Sequence, residues 1–161
     1  MLVVISDTSV ISNFLHLGQL HILQKLYRQV YIPQAVYEEI NQLSQDLDYI
    51  PPFQHADWVS VKSPSDSDQV VRLLDVLDRG EAEAIVLALE MEADFLLVDE
   101  LLGRQEARKQ GISIVGTLGI LLKAKEEKII EEIMPLMDIL IEKGFWIGKE
   151  LYEQVLDLAN E

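Results

Sequence analysis

The sequence predicts an α/β fold in which a mainly parallel sheet is covered by helices on both faces. Three observations predict it. Short apolar, β-branched runs recur along the chain, stretches of helical period stand between them, and carboxylates follow directly where two of the runs end. With 161 residues, 49% of them hydrophobic, the chain is long enough for one domain with a substantial core, and a single domain over residues 1–161 is expected.

The elements follow in order. LVVIS at 2–6 reads as a strand, and Thr8 and Ser9 are placed to cap a short helix through Phe14 to Leu17 that Gly18 closes. VYI at 30–32 is a second strand, after which Pro33 suits the first turn of the helix PQAVYEEINQL. Residues 44–56, rich in Asp, Gln and Pro, read as a loop, and WVSV at 58–61 as a third strand. The polar stretch KSPSDSD leads to a helix at about 68–78, and another begins near Gly80 and continues through AIVLALEMEA. FLLV at 95–98 and ISIV at 112–115 supply two further strands, with a helix between them. The tail from about 134 to 161 reads as two amphipathic helices broken at Gly144, a C-terminal helical extension.

In open parallel sheets ligands bind outside the carboxyl ends of the strands. Asp7 follows the first strand there, and Asp99 and Glu100 follow FLLV. A single carboxylate at such a position also serves as a helix cap. On the helix after Pro33, Glu39 falls roughly 65° from the apolar stripe of Val36, Ile40 and Leu43, so it reaches the rim of the core, whereas Glu38 faces water. In RGEAEAIVLALE the early polar residues are Glu81 and Glu83, whose directions differ by roughly 160°. They are not expected to serve one site equally.

No cysteine is present, so a metal here must be held by oxygen or imidazole, which points to hard cations. His16, His21 and His55 lack metal-ligand spacing and read as ordinary surface or turn residues. Several carboxylates converging in a partly buried setting repel one another, and a divalent cation relieves the repulsion. Mg²⁺ suits such a site because it keeps several waters and takes one or two carboxylates plus substrate phosphate.

Four motifs in order, ISDTS near the start, IPxxVxxEI, GEAEAIxLA and LLVDE, resemble the PIN-domain superfamily. The pairing of LDRGEAEAIVLALE with GTLGILLKAKEEKII and GFWI is similar to its prokaryotic branch related to the toxin nucleases of toxin–antitoxin operons. The resemblance covers nearly the whole chain. It implies a three-layer α/β/α sandwich whose clustered acids bind Mg²⁺ or Mn²⁺ and cleave single-stranded RNA. Residue by residue, it implies Asp7, Glu39, Glu83 and Asp99 as catalytic acids, with Asp7, Glu83 and Asp99 on the metal, Ser9 as the adjoining hydroxyl, and Glu81 and Glu100 as secondary candidates. An antitoxin protein and a second copy of the chain are the partners it implies.

The net charge of −15 repels nucleic acid at long range. From Leu101 to Lys128, however, six basic residues face three acids, and Arg104 and Arg108, spaced i, i+4 on the helix after Asp99, project from one face close to the acidic mouth. They are the candidates for gripping phosphate, and ordinary solvated helices are the alternative. Trp58 and Trp146 lie in apolar runs and read as core or interface residues. No apolar run approaches the roughly 18–20 residues of a membrane span, and residues 1–5 lack a secretory start, so a cytoplasmic protein is expected.

Two other chemistries fit less well. A haloacid-dehalogenase-type phosphatase wants a second aspartate two residues after the first, where Ser9 stands. A phosphoacceptor receiver wants a lysine after the last strand, where Gly116 and Thr117 stand. The competing reading is a non-catalytic module that binds nucleic acid or protein and keeps an acidic pocket.

Overall fold

The computed structural model describes residues 1–45 and 56–161. Five short strands form one parallel sheet: β1 (Val4–Ser6), β2 (Val30–Ile32), β3 (Val59–Val61), β4 (Phe95–Leu97) and β5 (Ile114–Val115). Their spatial order is β3-β2-β1-β4-β5, with Ile5 registered against Tyr31 on one side and Leu96 on the other. The chain therefore fills the sheet outward from β1 in one direction, then crosses over and fills it in the other. That reversal is a topological switch point, and it lies beside the end of β1.

Side chains alternate across the sheet, so each strand feeds two cores. Val4 and Leu97 join the cluster on one face, Ile5 and Leu96 the cluster on the other. The first face is covered by α1 (Thr8–His16), α2 (His21–Tyr27), α7 (Thr117–Glu126), α8 (Met134–Glu142) and α9 (Lys149–Leu158). The opposite face is covered by α4 (Ser67–Leu73), α5 (Arg79–Glu90) and α6 (Leu101–Lys109). This is a three-layer α/β/α sandwich, as expected. α3 (Gln34–Gln45) packs against both α1 and α5 and so links the two layers beside the switch point.

Several local expectations shift. The cap of α1 is Asp7, in extended backbone and accepting from the Thr8 N–H, rather than Thr8 or Ser9. Gly18 does close that turn, at φ +64, with its N–H and that of Gln19 donating to Leu15 and Phe14 carbonyls. The segment before β2 forms α2, a helix the sequence reading did not include. Pro33 stands just ahead of α3 and its carbonyl accepts from the Tyr37 N–H. α4 stops at Leu73 instead of running to 78, because Asp78 caps a new helix, α5, one residue before Arg79. Trp58 is buried, but Trp146 is 85% exposed. Most of the loop read at 44–56, and His55 within it, lie outside the described residues.

The two tail helices form where expected and pack on the first core through Leu136, Met137, Leu140 and Val155. The Glu161 carboxylate accepts from the N–H groups of Ile133 and Met134 at the start of α8, and Lys125 reaches it at 3.0 Å. Among the described residues no helix is long and apolar enough to cross a membrane.

Candidate active site

Four elements send acids toward one pocket of about 270 Å³ at the carboxyl ends of the strands. Asp7 leaves the end of β1, with its own N–H pinned to the Leu97 carbonyl at 3.0 Å and its side chain only 3% exposed. Glu39 arrives from α3, Glu81 from the first turn of α5, and Glu100 from the cap of α6. Asp78, Thr8, Ser9, Ser12 and Leu43 complete the lining.

Each acid is held by local geometry. The Thr8 hydroxyl donates to Glu39 Oε2, so the first turn of α1 fastens α3 to the site. Glu39 lies flat on the backbone of α5: a Cβ on Gly80 would stand 2.7 Å from its Oε2. Glu81 and Asp78 form a reciprocal cap, with Glu81 N–H donating to Asp78 Oδ1 at 2.8 Å and Asp78 N–H to Glu81 Oε1 at 3.3 Å. The other oxygen of Glu81, Oε2, is buried without a partner and rests over Gly103, where a Cβ would come within 2.8 Å.

The electrostatics follow from this crowding. Burial first, then the charge of Glu81 and those of Asp78 and Glu39, push the Asp7 carboxyl well above the usual carboxylate range, against the pull of the Thr8 N–H. Burial also raises Glu39, with Asp78 adding to it and the Thr8 hydroxyl opposing. Glu81 is raised from 4.5 to about 7, chiefly by burial and then by Asp78. Such a cluster is short of positive charge.

Not every expected residue joins it. Glu83 and Asp99 stand outside the pocket lining. Glu83, though outside the lining, is buried and near enough to Glu39 for its charge to help raise that carboxyl, and its own Oε2 lies 3.4 Å from Arg79. Asp99 is occupied by donors: Thr117 N–H at 2.8 Å, Thr117 hydroxyl at 2.5 Å and Asn13 Nδ2 at 2.9 Å. It ties β4 to α1 and α7. Glu81 and Glu100, the secondary candidates, are the acids that share the pocket with Asp7 and Glu39. The Ser9 hydroxyl lies 3.4 Å from Asp7 Oδ2 at the same mouth. Arg104 is half-buried beside Asp99 and Gly116, its Nε buried without a partner, and Arg108 is exposed one turn further along α6.

Asp78 is a site residue that the sequence reading missed. Its signal was available, since Asp78 and Glu81 have the D-x-x-E spacing of a helix cap. The seating of carboxylates on Gly80 and Gly103 has no such signal.

The donor set fits a hard cation in kind, being oxygen throughout, with one buried carboxylate oxygen unpartnered and the acids repelling one another. As the side chains lie, no three acidic or histidine groups among the described residues are near enough to hold a metal together. A family model described as "DUF3368: PIN domain" matches residues 3–161. In a search of curated proteins, none matches the chain.

Proposed function

Because the chain belongs to the PIN-domain family, whose members are generally nucleases that use divalent metal ions, we propose that it is a metal-dependent ribonuclease hydrolysing phosphodiester bonds of single-stranded RNA. The observation that carries the reading is the meeting of Asp7, Glu39, Glu81 and Glu100, from four separate elements, at one pocket where Glu81 Oε2 has no partner. These four are the acids we assign, in place of a set containing Glu83 and Asp99.

One or two of Asp7, Glu39 and Glu81 would bind Mg²⁺ or Mn²⁺ directly and the rest through its waters, with Glu100 at the mouth. Bound there, the ion supplies a water of lowered pKa and stabilises charge on the phosphodiester. The chain's own groups do the positioning. Thr8 and the face of Gly80 orient Glu39, Asp78 orients Glu81, and the α1 cap orients Asp7. Ser9 and the guanidinium of Arg104, with Arg108 beyond it, receive the phosphate backbone, against the repulsion of a chain of net charge −15.

The test is cleavage of a mixed single-stranded RNA pool with Mn²⁺, with Mg²⁺ and with chelator. Asp7→Asn keeps an acceptor for the Thr8 N–H but removes the charge, and should lower cleavage by roughly 100-fold or more. Cleavage by this variant at the wild-type rate ends the proposal. A role as the toxin of a toxin–antitoxin pair, with an antitoxin and a second copy as partners, is the finer reading. Growth arrest on expression, relieved by Asp7→Asn, tests the toxin role.

The second reading, a non-catalytic binding module, is favoured by the spacing of the acids, which leaves no three at ligating distance among the described residues. It requires that calorimetry find no divalent-metal binding and that the RNA pool stay intact.

A further inference from the structure

Away from the acids, two cavities of about 530 and 650 Å³ meet over α7, sharing Gly119 and Lys123 in their linings. The first is walled by the end of α9 at Leu158, the second by the end of α2 and the starts of β1 and β4 at Leu26, Leu2 and Phe95. Each is of ordinary ligand-site size, and joined across Gly119 and Lys123 they run from α9 to α2 as one surface that a segment of chain would span.

Gly119 opens the floor. A Cβ there would stand 3.3 Å from Val115 Cγ1, tighter than an ordinary contact, so filling the position pushes that side chain by a few tenths of an ångström, in a helix where glycine is otherwise disfavoured. Leu158 is 72% exposed at one end and Leu2 45% at the other. The groove thus mixes apolar side chains, Leu2, Leu26, Phe95, Val115, Leu122 and Leu158, with charged ones along its walls, and apolar side chains remain uncovered at both ends.

Its charge opposes that of the molecule. Lys25, Arg28, Lys123 and Lys125 line it against Glu126 and Glu127, within a chain of net charge −15. Lys123 and Lys125 are paired with acids, whereas Lys25 and Arg28, at the α2 end, make no ion pair among the described residues. Arg28 also keeps a positive φ of +64, which a residue with a side chain rarely adopts. The apolar floor favours aliphatic side chains over nucleic-acid bases, and the unpaired cations favour an acidic ligand.

We propose that the groove along α7, between α2 and α9, docks an acidic amphipathic helix of a partner protein, its apolar face over Gly119 and its carboxylates toward Lys25 and Arg28. The mode is helix-in-groove, anchored by residues spaced i, i+3, i+4 and i+7.

Three labelled peptides of one helical pattern, with leucine on one face and glutamate, glutamine or lysine on the other, are titrated with the full chain by fluorescence anisotropy, without metal or RNA. The glutamate peptide should bind at least about tenfold tighter than the lysine peptide. Gly119→Leu, which fills the floor, and the double change Lys25→Glu with Arg28→Glu should each weaken it about tenfold or more. Circular dichroism melting verifies that Gly119→Leu is folded, and the Lys25/Arg28 variant should retain the wild-type level of metal-dependent RNA cleavage. Equal binding of the three peptides, or unchanged binding by folded Gly119→Leu, overturns the proposal. So does self-association that Gly119→Leu removes, which would make the occupant a second copy, or displacement of the peptide by a single-stranded RNA oligonucleotide. Because peptide binding needs neither metal nor RNA, its failure is distinguishable from failure of the nuclease reading.

Discussion

Replacing Glu81 with glutamine separates the cost of the acidic cluster from its purpose. Folding raises the Glu81 carboxyl from 4.5 to about 7, first through burial and then through Asp78. Above pH 7 the folded chain must carry that charge in the pocket, while the unfolded chain ionises freely above 4.5. Stability from this group is therefore fullest below pH 4.5 and falls as pH rises to about 7. A rise of this size corresponds to about 3 kcal/mol. The pocket opens to water on one side, and screening reduces this to about 1–2 kcal/mol. Glutamine keeps the acceptor that Asp78 N–H uses and removes the charge. Glu81→Gln should therefore be more stable than wild type by about 1–2 kcal/mol at pH 8.5 and within about 0.5 kcal/mol at pH 4. Urea denaturation at the two pH values measures both differences. Added Mn²⁺ should stabilise the wild type at pH 8.5 and the variant much less. A variant no more stable at pH 8.5, or equally stabilised at both pH values, would refute the reasoning.

Gly103→Ala improves helix propensity but sets a methyl group 2.8 Å from Glu81 Oε2 and 3.1 Å from Val98 Cγ2, so divalent-metal affinity should fall roughly 10- to 100-fold by calorimetry. Thr117→Val removes a fully buried hydroxyl from Asp99 and should cost about 1–3 kcal/mol in urea denaturation. Glu161→Ala uncaps α8 and should cost about 0.5–2 kcal/mol. Burial, which would raise the Glu161 carboxyl, is outweighed by the N–H groups of Ile133 and Met134 and by Lys125, which hold it below 4.5. The contribution of Glu161 is thus present above pH 4.5, and the gap between wild type and variant should narrow as pH falls below it.

The layers of the fold were legible because strand runs such as VVIS and FLLV are short, β-branched or leucine-rich, and bounded by polar residues. α2 escaped because its seven residues are too few to establish a helical period. At the site, Asp7 and Glu39 were legible from strand end and helix face. The partition between Glu81 and Glu83 was legible as a difference in direction, but its sign depends on which side of α5 meets the sheet. Asp99 and Glu100 are adjacent in sequence, and only the approach of Asn13 and Thr117 determines which carboxylate is consumed by neighbours and which is left to the pocket. That approach joins residues 86 and 18 positions away from Asp99, beyond the reach of any local pattern.

The triple attachment of Asp99 makes the two sides of the mouth mechanically unequal. Anchored to both α1 and α7, the β4 side behaves as a fixed jaw. Glu39 and Glu81 reach the site at the ends of longer side chains, held by one hydroxyl, a cap and the smooth surface of two glycines, so their carboxylates have more freedom to turn than that of Asp99. Adjustment to ions of different radius, or to a scissile group arriving at an angle, would then be a turning of the Glu39 and Glu81 side chains toward Asp7, over an α5 that is itself buried from Gly80 to Ala88.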